Sequence, residues 1–259
     1  MNYIKDFEFH KMWDRYDLAW HDLHEDVNVL VGINGKGKTT LLDAINSYYN
    51  KKFPSSFYKK YGDDRIVATP LDCPVFYIQS SDIPAQVKKK GNSLLYERLM
   101  KVVLQNEHND SFFNYRMRAL NYPEESNRIG MRIDSLFKEI NSYFKESDKE
   151  IAIERDSNML VFKNRIDDKT VTLAMLSAGE KQLLLILLTV FLMDEKPSVL
   201  LMDEPEVSLH IEWQEKLITS LRKLNKNCQL IITTHSPSIF ASGWENSISY
   251  IEDLYVDGE

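Results

Sequence analysis

The chain has 259 residues, of which 43% are hydrophobic and 27% are charged, a composition that excludes a disordered or fibrous protein. Its net charge of -7 supplies no general attraction for nucleic acid or anionic lipid, so binding of either would need a local patch. Two cysteines allow at most one bridge, which excludes a disulfide framework and favours a reducing compartment. The N-terminus lacks the apolar core of a signal peptide, and the longest largely apolar run, 183–193, is too short to span a bilayer. We therefore expect a cytoplasmic protein without membrane insertion.

The predicted elements begin in an α/β order. A β-branched run over Val27–Val31 ends at a glycine and predicts a buried strand, and helical spacing begins at Thr39 and stops at 53–56. Strand-like runs follow at 65–68 and 75–79. Long charged stretches then predict helices at 94–104, 112–120 and 133–144. Beyond them we predict a hairpin at 151–154 and 159–162, helices at 179–193 and 211–224, and strands at 198–202, 230–233 and 248–251.

This order predicts an α/β core that one helical segment interrupts. We expect residues 1–81 and 148–259 to form the core and residues 82–147 to form a helical insertion, or lobe. About 25 residues follow 235, which we expect to be too few for a further C-terminal effector domain.

The strongest signal for chemistry is Gly-Ile-Asn-Gly-Lys-Gly-Lys-Thr at 32–39, which matches the phosphate-loop pattern between a strand and a helix. Glycines allow backbone N–H groups to surround phosphates, and the helix N-terminus adds its positive end. Lys38 is expected to reach the β- and γ-phosphates, and the Thr39 hydroxyl is a candidate ligand of Mg²⁺. The alternative is a glycine-rich turn without a ligand. The predicted nucleotide-binding residues here are Asn34, Gly35, Lys36, Gly37, Lys38, Thr39 and Thr40.

A second signal is the apolar run at 198–202 that ends in the adjacent carboxylates Asp203 and Glu204. The carboxyl edge of a parallel sheet would bring Asp203 beside the phosphate loop, where it can hold the water shell of Mg²⁺. Glu204 points elsewhere and could polarise an attacking water. The alternative is that the pair caps the next helix.

A third signal is Leu-Ser-Ala-Gly-Glu-Lys-Gln at 176–182, which opens a strongly apolar helix. Ser177 would ordinarily be an N-cap, and the same geometry is also an anion site. With the two preceding motifs, this segment resembles the signature sequence of ABC-type ATPases. Gln79 resembles the Q-loop glutamine of that family, 206–210 its D-loop, and His235 in Thr-Thr-His-Ser-Pro its switch histidine.

The resemblance implies a P-loop NTPase of ABC type, with a mixed central sheet flanked by helices and a helical lobe between Q-loop and signature. It implies ATP and Mg²⁺ as cofactors, with Thr39, Gln79 and Asp203 at the metal. Glu204 would be the general base, and His235 would sense the γ-phosphate. Ser177 and Gly179 would cover the nucleotide of a second subunit, so that two ATP molecules are sandwiched in a homodimer, or ATP is bound in the same way within a higher oligomer.

Departures from the transporter pattern indicate which branch of the ABC-type ATPases this chain resembles. Ala178, Glu180 and His210 stand where transporter ATPases usually have Gly, Gln and Asp. These choices are similar to non-transporter ATPases of the structural-maintenance, RecF and overcoming-lysogenisation type and of bacterial anti-phage defence. The insertion is too short and too broken by Pro and Gly for the long coiled coils of some relatives. We therefore expect an ATPase that switches a separate effector. The alternatives are an ATP-binding subunit of a membrane transporter and a nucleotide-binding scaffold without turnover.

One local patch interleaves lysines with aromatic residues, a pattern that can bind phosphates and stack bases. The alternative is a solvated face or a contact with a protein partner. We expect nucleic acid, if it binds, to do so through Lys51, Lys52, Lys59, Lys60, Lys88, Lys89 and Lys90. Trp13 or Tyr16, which precede the first predicted strand, could stack on the adenine.

Overall fold

The computed structural model describes residues 3–51, 65–80, 93–104 and 111–256, which form three β-sheets and six α-helices. The strands are β1 (Asp6–Met12), β2 (Tyr16–Trp20), β3 (Val27–Val31), β4 (Ile66–Thr69), β5 (Val75–Ile78), β6 (Lys149–Ile153), β7 (Leu160–Asn164), β8 (Thr170–Thr172), β9 (Ser198–Asp203), β10 (Cys228–Thr233), β11 (Ile248–Tyr250) and β12 (Tyr255–Val256). The helices are α1 (Lys38–Asn50), α2 (Leu94–Leu104), α3 (Phe112–Asn121), α4 (Ser126–Tyr143), α5 (Ala178–Leu192) and α6 (Ile211–Leu224).

The central sheet has five strands in the order β11-β3-β10-β9-β5, and every pair in it is parallel. Every residue of β9 and β10 is buried, as expected of parallel strands that are covered on both faces. The described strands of the central sheet are therefore all parallel, whereas the sequence analysis predicted a mixed sheet. The antiparallel strands form two further sheets instead, in the orders β12-β2-β1-β4 and β6-β7-β8.

The antiparallel strands β1 and β2 were not predicted from the sequence. Both alternate between buried and less buried residues, because one face of their sheet packs on the core and the other faces solvent. Polar or charged residues occupy most of the outer positions, so the segment lacks the continuous apolar run that marks β3. The predicted hairpin is confirmed as β6 and β7, and β8 adds a third strand.

The predicted helices of the inserted segment are present as α2, α3 and α4, although α4 begins at Ser126, seven residues before the predicted start at 133. Ser111 caps α3 by accepting a hydrogen bond from the backbone N–H of Asn114 (3.1 Å). That residues 82–147 act as a lobe distinct from the core stays a prediction.

Two hydrophobic clusters lie on opposite faces of the central sheet. Alternate residues of β9 divide between them, with Leu200 and Met202 on one face and Val199 and Leu201 on the other. The first cluster joins helices α2 to α6, and the second joins α1 to the sheet of β1 and β2. Helix α5 is buried nearly all round, which explains its apolar sequence. Within the described ranges, no helix is long and apolar enough to cross a membrane.

Candidate nucleotide-binding site

The carboxyl edge of the parallel sheet gathers most of the predicted site residues. The loop at 32–37 follows β3, His235 follows β10 by two residues, Asp203 ends β9, and Gln79 follows β5. Because β3, β10, β9 and β5 are consecutive in the sheet, all four segments open on the same edge.

The loop before α1 has the backbone geometry of a phosphate cradle. Gly35 and Gly37 have φ angles of 81° and 95°, which favour glycine because a Cβ atom is strained there. The space around Gly35 is open, whereas a Cβ on Gly37 would lie 3.1 Å from the Trp13 ring. No side chain caps the N-terminus of α1, and its first turn contains no acidic residue. The N–H groups at this end therefore stay available for an anion.

Lys38 places its ammonium inside this loop. The side chain is only 6% exposed, and Nζ donates to the carbonyl oxygens of Gly32 (2.9 Å) and Ile33 (3.4 Å). Nζ also lies 2.8 Å from Nε2 of His235. Burial lowers the pKa of Lys38, and the carboxylates of Glu204 and Asp203 act against that shift.

Thr39 and Asp203 lie together at the next position of the site. The Thr39 hydroxyl is 3.1 Å and 3.0 Å from the two carboxylate oxygens of Asp203, and the Thr233 hydroxyl donates to Oδ1 at 2.6 Å. Hydroxyl and carboxylate oxygens are ligands that Mg²⁺ prefers. Two of the three predicted metal-binding residues, Thr39 and Asp203, are thus already adjacent, and their oxygen donors fit Mg²⁺.

Glu204 and His235 form the third part of the site. Oε1 of Glu204 lies 3.3 Å from Nε2 of His235, so this one ring nitrogen contacts both Glu204 and Lys38. The backbone N–H of Glu204 donates to the carbonyl of Thr233 (3.0 Å), which fixes the residue at a φ of 48°. Burial, with the neighbouring charge of Asp203, raises the pKa of Glu204. A carboxyl group whose pKa moves toward neutrality is suited to act as a general base.

Gln79 contacts a residue that the sequence did not single out. Its Oε1 accepts a hydrogen bond from Nη2 of Arg98 (3.0 Å), on helix α2 of the inserted segment. Asp43 of α1 lies near Gln79, and its pKa is raised chiefly by burial. Asp43 follows Thr39 by four residues on α1, so helical periodicity places it on the same face and could have identified it. No local pattern marks Arg98.

Ser177 and Gly179 lie outside this cluster. They line a separate groove of about 560 Å³ with Ser208 and His210. Ser177 is an N-cap and accepts from the N–H of Glu180 (3.2 Å), whose carboxylate accepts from the N–H of Ser177 (2.8 Å). The N-cap interpretation of Ser177 is therefore confirmed, and it leaves the predicted contact with a second nucleotide as a proposal.

Two of the predicted phosphate-binding residues lie at the rim of the site. Lys36 and Asn34 are exposed. The carbonyl of Lys36 accepts from the Tyr255 hydroxyl (2.5 Å), and Glu252 accepts from the N–H of Ile33 (3.1 Å). These contacts connect the C-terminal segment to the loop, and no sequence pattern predicted them.

The predicted lysine patch lies mostly outside the described residues. Lys51 is described and exposed, whereas the structure does not describe Lys52, Lys59, Lys60, Lys88, Lys89 and Lys90.

A family model described as "AAA domain, putative AbiEii toxin, Type IV TA system" matches residues 78–241, more than half of the chain. The chain belongs to this AAA domain family. The match begins after the phosphate loop and includes Gln79, Ser177, Asp203 and His235, so most of the motifs read from the sequence fall within it.

The chain resembles two curated proteins in sequence. It is 25% identical over 194 residues to "Retron Vc95 probable ATPase" of Vibrio cholerae serotype O1 biovar El Tor, a match that covers 61% of this chain and 37% of that protein. It is 32% identical over 93 residues to "Retron Ec83 probable ATPase" of Escherichia coli, covering 32% of this chain and 17% of that protein. The chain thus matches well under half of the length of either relative.

Solved structures show the same fold. A head domain described as "SmcHead bound to the C-winged helix domain of ScpA" matches with a TM-score of 0.56 at 13% identity, over 93% of this chain and 91% of that chain. The head domain of an SMC protein from Thermotoga maritima matches with a TM-score of 0.50 at 15% identity, over 92% and 91% of the two chains. The chain therefore has the P-loop fold of the SMC head domains.

Proposed function

We propose that this AAA ATPase is a Mg²⁺-dependent ATP hydrolase that dimerises around ATP and uses binding and hydrolysis to switch a separate effector protein. The observation that carries the proposal is the convergence of Lys38, Thr39, Asp203, Glu204 and His235 within direct contact distances at one edge of the sheet. This set supplies a phosphate-binding cation, two metal-binding oxygens and a base, the groups that phosphoryl transfer to water requires.

In this proposal, the phosphates are held by the loop before α1 and the first residues of that helix: Asn34, Gly35, Lys36, Gly37, Lys38, Thr39 and Thr40. Thr39, Asp203 and Gln79 would hold Mg²⁺, which when bound neutralises charge on the phosphates. Thr233 keeps Asp203 oriented through its 2.6 Å hydrogen bond. The Oε1 of Gln79 accepts one hydrogen bond from Arg98 and has a second lone pair that could reach the metal. Trp13, whose ring lies against Gly37, is the better placed of the two aromatic candidates for the adenine.

Glu204 is the proposed general base, and it takes a proton from the attacking water through its carboxylate. Its raised pKa, caused first by burial, strengthens it as a proton acceptor. His235 is the proposed sensor of the γ-phosphate because its Nε2 already lies at Lys38 and Glu204. A phosphate that binds between these groups would replace the contact from His235 to Lys38.

Dimerisation is proposed through the groove at Ser177, Gly179, Ser208 and His210. The N-terminus of α5 opens on this groove, and a helix N-terminus attracts anions such as the γ-phosphate of the nucleotide on a second copy. The buried carboxylate of Glu180 pairs with Lys149 (2.5 Å), so the acidic residue at this position serves the capping box rather than repelling that phosphate.

The proposal also includes a separate effector protein and a biological role in anti-phage defence or genome maintenance. The two retron relatives are named as probable ATPases, which supports a defence setting, and we propose a cytoplasmic location. The helices α2 to α4 are the proposed docking site for the effector, because α2 contacts Gln79 through Arg98. Contact with nucleic acid is proposed only through the lysine patch defined above.

The decisive experiment replaces the proposed base. Glu204→Gln keeps the shape of the side chain and removes the base, so ATP should still bind while turnover falls at least about 100-fold. A dimer should then accumulate with ATP and Mg²⁺, detected by light scattering after size exclusion. The matched control is Glu215→Gln on the exposed side of α6, which should behave as wild type. Undiminished turnover in Glu204→Gln, or a monomer under these conditions, would contradict the proposal.

A further inference from the structure

Glu206 lies in the loop between β9 and α6 and contacts the segment that carries His235. Its Oε1 accepts two hydrogen bonds, from the Thr234 hydroxyl at 2.6 Å and from the backbone N–H of His235 at 2.8 Å. These two donors belong to the residues that immediately follow β10. One carboxylate oxygen therefore fixes the backbone from which the His235 side chain projects toward Lys38.

The second oxygen of Glu206 shows how this carboxylate is used. Oε2 is buried and has no hydrogen-bond partner among the residues that the structure describes. A buried carboxylate oxygen without a partner is costly, and stability alone would favour a neutral side chain here. The side chain is thus placed for the two hydrogen bonds of Oε1, which both go to the segment of His235.

The loop of Glu206 is joined to the same segment at a second point. The Ser236 hydroxyl donates to Oε1 of Gln214 (2.6 Å), and Nε2 of Gln214 donates to the carbonyl of Leu209 (2.9 Å). The other side of the loop touches α5, because a Cβ on Gly179 would lie 2.2 Å from the carbonyl oxygen of Ser208. The loop at 205–210 therefore lies between the N-terminus of α5 and the segment of His235.

We propose that Glu206 is a positioning residue that holds His235 in the ATP site and makes its position follow the loop at 205–210. Movement of that loop, which lines the groove of Ser177 and His210, would reach His235 through the two hydrogen bonds of Glu206. The inference rests on the proposed function for the role of His235. The hydrogen bonds that carry it are independent of that role.

The test compares two substitutions at the same position. Glu206→Ala removes both hydrogen bonds, so kcat should fall at least about tenfold while the affinity for an ATP analogue stays within about twofold. Glu206→Gln keeps a carbonyl oxygen for both donors and changes only the atom that lacks a partner, so kcat should stay within about threefold of wild type. Glu215→Ala, the same truncation at an exposed position of α6, is the control and should match wild type.

A second readout uses the nucleotide-free protein and needs no turnover. The ring signals of ¹⁵N-labelled His235, assigned with His235→Asn, should shift or broaden in Glu206→Ala and stay in place in Glu206→Gln. Unmoved His235 signals in Glu206→Ala would overturn the inference, as would an equal loss of kcat in both variants. If the wild type fails to hydrolyse ATP while Glu206→Ala still moves His235, the proposed function fails and the positioning role stands.

Discussion

At the scale of single residues, the site is arranged around one buried cation. Lys38 donates to the carbonyls of Gly32 and Ile33 and contacts the imidazole of His235. The two carbonyl oxygens are neutral acceptors, and an anionic phosphate can replace them with a stronger, charge-assisted hydrogen bond. Among the described residues, no carboxylate bonds this ammonium directly, so a nucleotide would displace none of them.

Replacing this cation should therefore act mainly on nucleotide binding. In Lys38→Ala, we expect the affinity for a fluorescent ATP analogue to fall at least about tenfold, because a hydrogen bond to a charged group contributes about 1.5–3 kcal/mol. The measurement is a fluorescence titration in the presence of Mg²⁺. Lys226→Ala, at an exposed lysine, is the control. Unchanged affinity in Lys38→Ala would contradict the phosphate-loop assignment.

At the scale of elements, the N-terminus of α5 is held against the loop that follows β9. Gly179 has no Cβ, which allows the carbonyl of Ser208 to approach the helix backbone, and Ser208 itself has a φ of 68°. The capping box of Ser177 and Glu180 fixes the start of the same helix. The groove proposed to face a second nucleotide is therefore built by close packing of two backbone segments.

Two glycine substitutions test this packing. A Cβ at Gly179 would meet the Ser208 carbonyl at 2.2 Å, so Gly179→Ala should lower the free energy of unfolding by about 1–3 kcal/mol. Gly130 lies in α4 with open space at its Cβ position, so Gly130→Ala should raise that free energy by about 0.5–1 kcal/mol. Urea unfolding followed by circular dichroism measures both. Equal effects of the same sign would show that the close approach at Gly179 does not determine its residue type.

At the scale of the whole molecule, the inserted helices share a hydrophobic core with the sheet. Leu99 of α2, Phe112 of α3 and Leu136 of α4 belong to the same cluster as Leu200 of β9. Trp213 of α6 packs against the Phe144 ring at 5.7 Å, just beyond the end of α4. We therefore expect the insertion and the core to unfold together.

Leu136→Ala tests this cooperativity. Leu136 is fully buried, so its truncation should lower the free energy of unfolding by about 2–5 kcal/mol. The loss should shift one common transition, with tryptophan fluorescence and circular dichroism still coinciding. Lys138→Ala, at an exposed position of the same helix, should change the free energy by less than about 0.5 kcal/mol. A low-denaturant transition that involves only part of the helical signal would contradict a shared core.

The sequence alone determined the elements whose residues act over short distances. The strand at Val27–Val31, the loop at 32–39 and the N-cap at Ser177 could be predicted because periodicity, glycine spacing and capping are local properties. The apolar strand before Asp203 and Glu204 predicted their place at the carboxyl edge of the sheet, because parallel strands buried on both faces are continuously hydrophobic.

Only the tertiary structure decided the contacts between segments far apart in the chain. Arg98 reaches Gln79, Glu252 reaches the N–H of Ile33, and Glu206 holds the backbone of His235. Arg98 and Glu252 are single polar side chains without a repeating pattern, so nothing in their own segments distinguishes them from solvated residues. Glu206 belongs to the predicted D-loop, but that motif does not predict its contact with the backbone of His235. The strands β1 and β2 were missed for a related reason. One face of their sheet is polar, and the burial of the other, apolar face depends on segments that are distant in the sequence. Pairing over a long sequence separation is a property of the folded chain, and it appears only when the sheets and helices are assembled.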